Sequence, residues 1–283
     1  MNEPIIAIGL SVLMHVAWNL IARQQPSDAF PLWWVLLGHL LVFAPWGFHA
    51  LVTEVNWTVG FTLLLTGSAI ANTLYFNGLR KAYEHAPAAL VYPLVRSSPL
   101  LIALWGALSG RETLSLGSWV GILISVSGLW LLSHSAFTYG SARRALPWIL
   151  LAMLATSVYS LTDKAATTSI PSLAALFGFV SVGYLSSWLS MSLTLKYSTG
   201  HWIPTRRIDT CALIAGGLCI GTAYVLVIHA MRFLPAAEVV SYTNAGIVLA
   251  SLLSIFYFKE RQDWRRRLLG ALIVASGLAV MAI

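Results

Sequence analysis

Arg96 stands in the middle of an apolar stretch, 88–109, and is the side chain with the greatest chemical consequence in this chain. A guanidinium at mid-membrane depth costs about 2.5–3.5 kcal/mol on insertion scales, so it must face protein or water and find a partner. Its planar fork of N–H donors suits a carboxylate or phosphonate held by two parallel hydrogen bonds. The structural alternative is a standing ion pair with Asp163 or another internal acid. Tyr92 precedes Arg96 by one helical turn and shares its face, and Glu238 and Tyr242 repeat that spacing in a later segment. Glu238 reads equally well as a first-turn acid favoured by the helix dipole. Tyr75, Tyr224, Asn19 and Asn244 add polar tips at intermediate depth, suited to lining a solute cavity or to hydrogen bonding between helices. With Arg96, Tyr92 and Tyr242 they form the candidate substrate-binding set.

Three ionisable residues are candidates for proton coupling: His15, Asp163 and Glu238. His15 lies mid-segment with Trp18 and Asn19 on its face, and imidazole titrates near neutral pH, although a lone histidine in an apolar helix commonly serves packing. Asp163 and Lys164 are sequence neighbours and point apart, so no salt bridge between them is expected. Cys211 and Cys219 have neither disulfide-framework nor metal-site spacing. No HExxH, GxSxG or Walker A pattern occurs, so no catalytic residue, metal or cofactor is expected, nor is ATP as the energy source.

The elements that hold these groups follow from composition. Of 283 residues, 58% are hydrophobic and 10% charged, against roughly 25% charged in soluble domains. A helix crosses the hydrocarbon core with about 20 apolar residues. Ten such windows can be read, near 4–22, 31–52, 59–79, 88–109, 115–133, 146–165, 173–196, 210–231, 236–257 and 266–283. The expected fold class is therefore an all-α integral membrane protein with ten transmembrane helices. The first window lacks the basic region and cleavage site of a signal peptide and reads as a retained helix. Pro93 and Pro99 interrupt the interior of the fourth window, where a kink or local unwinding is expected.

The chain also repeats itself. Ala82, Pro87, Ala88, Ala89, Val91 and Glu112 recur at one constant offset as Ala230, Pro235, Ala236, Ala237, Val239 and Glu260. After a one-residue slip, Gly121, Leu123, Ile124, Ser127, Gly128 and Leu129 recur as Gly270, Leu272, Ile273, Ser276, Gly277 and Leu278. Trp18, Asn19, Leu20 and Arg23 match Tyr159, Ser160, Leu161 and Lys164, while Gly67, Thr73 and Tyr75 match Gly216, Thr222 and Tyr224. The second and seventh windows show no echo. The halves are 1–138 and 139–283, and five spans each makes them inverted copies, the internal symmetry of an alternating-access carrier. Arg96 falls opposite Asn244, so the symmetry breaks at the most polar position, as an asymmetric solute would require. The glycines of the repeat read as close-packing positions between helices.

The net charge of +7 resides mainly in the odd-numbered connections, which carry Arg23, Arg80, Lys81, Arg143, Arg144, Lys196, Arg206, Arg207, Lys259, Arg261 and Arg265 to Arg267. By the positive-inside rule those loops are cytoplasmic and both termini lie outside. The charge is thereby accounted for by orientation, and nucleic acid is not indicated. Trp33, Trp34, Trp46, Trp57, Trp119, Trp148, Trp202 and Trp264 fall near window ends, where an indole buries its ring and keeps its N–H hydrated.

The layout, the His15-Val16-Ala17-Trp18-Asn19 start, the junctions Ala86 to Ala89 and Leu234 to Ala237, and the paired Glu112 and Glu260 resemble an EamA-type transporter of the drug/metabolite transporter superfamily. The resemblance implies a multi-pass protein of the bacterial inner membrane, often an exporter of amino acids or other small metabolites, with a central cavity between five-helix halves. The sequence departs from it at Arg232-Phe233-Leu234 and in the basic tract from Lys259 to Arg267. The expected function is secondary active transport of a small polar metabolite, an amino acid or organic anion, with a lipid bilayer and a small-molecule substrate as partners. A flippase for lipid-linked substrates is the nearest alternative, ahead of an integral-membrane enzyme or a non-transporting scaffold.

Overall fold

The computed structural model describes residues 2–26, 29–134, 142–259 and 263–283, apart from the side chain of Arg23. The regular structure of these residues is all helical, with no strand among them. The helices are α1 (Asn2–Gln24), α2 (Pro31–Glu54), α3 (Val59–His85), α4 (Ala88–Val95), α5 (Pro99–Leu108), α6 (Leu116–His134), α7 (Ala142–Ala166), α8 (Leu173–Thr199), α9 (Thr210–Ala230), α10 (Ala236–Thr243), α11 (Ala245–Leu252) and α12 (Trp264–Met281). Nine helical segments among the described residues are long and apolar enough to cross a membrane, α4 with α5 and α10 with α11 each counting as one. The tenth expected span is α12, which opens on Arg265, Arg266 and Arg267 and is apolar thereafter. The boundary expected at 138/139, and Glu260 and Arg261, lie outside the described residues.

The chain divides into two compact units, Met1–Thr73 with Thr162–Arg232, and Leu74–Leu161 with Phe233–Ile283. In the first, α2 packs on α8 and α9, and α1 on α9. A bilayer supplies no hydrophobic drive for helix association, so close backbone approach must replace it. Gly47 of α2 meets Gly178 of α8 so closely that a Cβ on Gly178 would stand 2.1 Å from the Gly47 carbonyl oxygen. Gly38 of α2 meets Gly217 of α9 in the same way. Around these notches the aromatic residues interlock: Phe43 stacks on Phe177 at 4.3 Å, and the Trp33 indole N–H donates to Ser192 Oγ at 2.8 Å. His39 is wholly buried, bonded through Nε2 to Ser181 Oγ at 3.0 Å and pressed against the backbone of Gly221. Contacts between Trp33 and Ser192, His39 and Ser181, and Gly47 and Gly178 run in opposite chain directions, so α2 and α8 are antiparallel.

In the second unit α6 packs on α12 along a glycine seam. Gly121 faces Gly277, and Gly128 faces Gly270. The sequence repeat equates Gly121 with Gly270 and Gly128 with Gly277, so exchanging equivalent residues turns the Gly121–Gly277 contact into the Gly270–Gly128 contact. That exchange is what a twofold axis between two antiparallel helices produces. A second core, formed by Leu79 and Ala82 of α3, Leu90 and Val91 of α4, and Ala145, Ile149 and Ala152 of α7, fixes the start of α4.

The fourth expected span is two helices. Pro93 has no N–H to contribute to the ladder and Pro99 is preorganised for a first helical turn, so the chain unwinds between them. Arg96, Ser97 and Ser98 occupy the turn, closed by Ser97 N–H to Leu94 O at 3.0 Å and by Ser97 Oγ to Pro93 O at 3.2 Å. The ninth expected span is also divided, at Asn244, whose N–H bonds Ser241 O at 2.8 Å. No proline causes this second break. There the hydroxyl of Thr243 takes up the Val240 carbonyl at 2.6 Å, and a π-helical turn, Leu253–Tyr257, follows α11.

Candidate solute site at two broken helices

The two breaks occupy equivalent places in the repeat and touch. Asn244 Nδ2 donates to the Arg96 carbonyl oxygen at 3.2 Å, an oxygen released from the helical ladder by the α4–α5 turn. In return, Arg96 Nη1 donates to Thr243 Oγ1 at 3.0 Å. Arg96 Nη2 donates to Tyr92 Oη at 3.1 Å, and the guanidinium lies 5.3 Å from the Tyr92 ring centre. Tyr75 and Tyr159 meet edge to face at 5.7 Å, and both phenols are within electrostatic reach of the guanidinium. Arg96 is half-buried. A guanidinium has five N–H donors, and two of these are used, so the fork retains donors for a ligand. Among the described residues no carboxylate pairs with it; its neighbours are hydroxyls and aromatic faces.

Three further polar atoms at the breaks are buried without a hydrogen-bond partner: Ser98 Oγ, Ser241 Oγ and Asn244 Oδ1. Buried polar atoms are ordinarily satisfied by protein, water or ligand. Ser98 also stands at the N-terminus of α5, where the helix dipole favours negative charge. The turn thus offers a fixed cation, spare donors and a positive helix end in one place, which is chemistry suited to a carboxylate.

The other expected site residues fall as follows. Glu238 accepts a 2.6 Å hydrogen bond from Ser118 of α6, so it is anchored near the start of α10, and Tyr242 lies half-buried one turn later. Glu112, repeated in the sequence without an evident role, accepts the N–H of Ala236 at 2.9 Å and so caps the first turn of α10. In the first unit, His15 Nδ1 accepts from the Trp18 indole at 3.1 Å, and Asn19 Nδ2 returns to the His15 carbonyl at 2.7 Å. Tyr224 of α9 donates to Asp163 near the end of α7. Lys164 turns away from Asp163 and bonds the Met231 carbonyl at 3.0 Å. Sequence reasoning does not find Thr243, Ser98 or Ser241. Small hydroxyls carry no signal in an apolar segment, except that Ser241 and Thr243 precede the residue opposite Arg96.

A model of the EamA-like transporter family matches residues 3–134 and again residues 143–283. The chain belongs to the EamA-like transporter family. It is thus a multi-pass membrane protein of a transporter family, in keeping with its apolar helices. A solved crystal structure of a protein aligns with 100% of this EamA-like chain and 99% of its own at 19% identity, with a TM-score of 0.72, a likeness of fold. No curated protein matches the chain.

Proposed function

We propose that this protein is a secondary transporter of a small anionic or zwitterionic metabolite, an amino acid or organic anion, which it binds at Arg96 and moves by alternating access. The observation that carries this reading is a guanidinium with spare donors held at the meeting of two helix breaks. Broken helices supply free backbone dipoles at mid-membrane depth, where carriers of unrelated sequence coordinate charged solutes. Tyr92, Tyr75, Tyr242 and Asn244 complete the proposed substrate-binding set. The movement proposed is rocking of two inverted five-helix repeats, 1–138 and 139–283. The antiparallel glycine seam between α6 and α12, with its exchange of equivalent residues, supports inversion. The proposed setting is the bacterial inner membrane with both termini outside, a placement supported by the loop charges, and export is the proposed direction.

The test is uptake into proteoliposomes from a panel of amino acids, organic anions, phosphonates and cationic dyes, with and without a pH gradient. Saturable transport of a carboxylate-bearing solute, competed by other carboxylates, is expected. Transport confined to cationic dyes, or none from the panel, would overturn the reading.

A further inference from the structure

We propose that Asp163 is the proton-binding group that couples solute movement to a pH gradient, with the Tyr224 hydroxyl holding it in place. This deepens the transporter reading and rests on it. Asp163 is 0% exposed near the end of an apolar helix. A buried carboxylate is normally balanced by a cation or a full set of donors. Among the described residues no ion pair reaches it.

The groups around it are known from each packed helix. From α9, Tyr224 donates to Oδ2. From α3, Ser68 sits beside the carboxyl, with Asn72 bonded in turn to the Ser68 carbonyl at 3.2 Å, and Thr162 adjoins it on α7. Behind Tyr224, Tyr184 of α8 stacks at 6.5 Å, and His39 of α2 lies 4.8 Å beyond Tyr184. On α1, which packs against α9, the titratable side chains are His15, bonded to Trp18, and the exposed Glu3, bonded to His229 of α9 at 2.9 Å. Lys164, on the same helix as Asp163, directs its ammonium to Met231 O. The immediate neighbours are therefore neutral hydroxyls, and Oδ1 of Asp163 has no hydrogen-bond partner.

That oxygen is where the proton goes. An O–H bond forms at the carboxyl with a proton taken from water when the site is open to one side; the same bond breaks and the proton returns to water when the site opens to the other. Tyr224 keeps its own proton and stays a donor to the second oxygen. The sequence repeat adds an independent argument. In the register that matches Asn19 with Ser160 and Arg23 with Lys164, Asp163 falls opposite Ala22. The equivalent place in the other half thus carries an alanine, so the architecture of the repeat does not itself require a carboxyl there. A group dispensable for packing and costly to bury is retained for chemistry.

The test reads the carboxyl directly, by difference infrared spectroscopy of the full chain in lipid vesicles during a pH change. Acidification is expected to raise a carboxylic-acid C=O band that shifts when aspartate carboxyls are carbon-13 labelled. The band should vanish in Asp163→Asn and move in frequency in Tyr224→Phe. The other labelled carboxyls are Asp28, Asp209 and Asp263. Asp209 and Asp263 are exposed and give bands of solvated acids, and labelling the Asp28→Asn protein removes the remaining one, so the band is assigned even if the Asp163→Asn variant fails to fold. A labelled band that ignores pH, or that follows added sodium at fixed pH, would sink the proposal. In vesicles, Asp163→Asn should abolish accumulation driven by a pH gradient while exchange of the same solute without a gradient persists. Gradient-driven accumulation unchanged in that variant overturns the coupling role and leaves the transporter reading standing. Failure of the wild type to move any solute overturns the transporter reading, while the infrared band still reports on Asp163.

Discussion

Arg96→Gln is expected to weaken binding of the transported anion by at least about a hundredfold, measured as a dissociation constant on purified protein. A hydrogen bond to a charged group is worth about 1.5–3 kcal/mol, and a carboxylate on the guanidinium fork loses two of them. Arg96→Lys keeps the charge and loses the planar fork, so an intermediate loss follows. Tyr92→Phe removes one orienting bond, with an effect of about 0.5–1.5 kcal/mol at most. Stability should move the other way. The Thr243 hydroxyl is also bonded to the Val240 carbonyl at 2.6 Å, so removing Arg96 does not strand it, and the cost of carrying a charge inside the membrane is relieved. Arg96→Gln should therefore unfold at the same or a higher temperature in detergent. Equal affinity in wild type and Arg96→Gln would remove the binding role; a large fall in unfolding temperature would mark Arg96 as a structural group.

The contrast between the two helix breaks shows which parts of this molecule are legible in its sequence. Interruption at Arg96 follows from Pro93 and Pro99, because proline announces its missing donor. Interruption at Asn244 has no such marker; a hydroxyl and an amide in a continuous apolar run look the same whether the helix continues or not. Only the repeat, which sets Asn244 opposite Arg96, points there. The spans are legible because lipid imposes one length and one composition on every helix. The pairing of α2 with α8 is not, since neither the glycine notches nor the His39–Ser181 bond recurs in both copies. Tyr224 and Asp163 are separately visible as polar residues in apolar helices, but their bond joins helices far apart in sequence and depends on packing that no local pattern encodes. Glu112 is similar: its repetition is plain, while its role as a cap for Ala236 needs the neighbouring helix in place.

Gly277→Ala should lower the unfolding temperature, although alanine is the better helix former by about 0.8–1.0 kcal/mol. A Cβ at Gly277 would stand 2.5 Å from the Gly121 carbonyl oxygen, 2.5 Å from Ser125 N and 2.9 Å from Ser125 Cα. All three are backbone atoms of α6, so no rotamer change makes room and the helices must separate. Overpacking of this kind costs about 1–3 kcal/mol, which exceeds the gain in propensity. Gly9, exposed on α1 with nothing within 4 Å of where a Cβ would stand, supplies the opposite sign. Gly9→Ala should raise stability by about 0.5–1 kcal/mol. Measured side by side in one detergent, the two variants separate helix propensity from helix contact, and a rise in both would refute the glycine seam as a packing constraint. The consequence reaches the solute site as well. α4 packs on α6 and α11 packs on α12, so parting α6 from α12 pulls on both broken helices and on the Arg96–Thr243 and Asn244–Arg96 bonds between them. Gly277→Ala should accordingly weaken solute binding without touching a binding residue, and Gly9→Ala should leave it as it was.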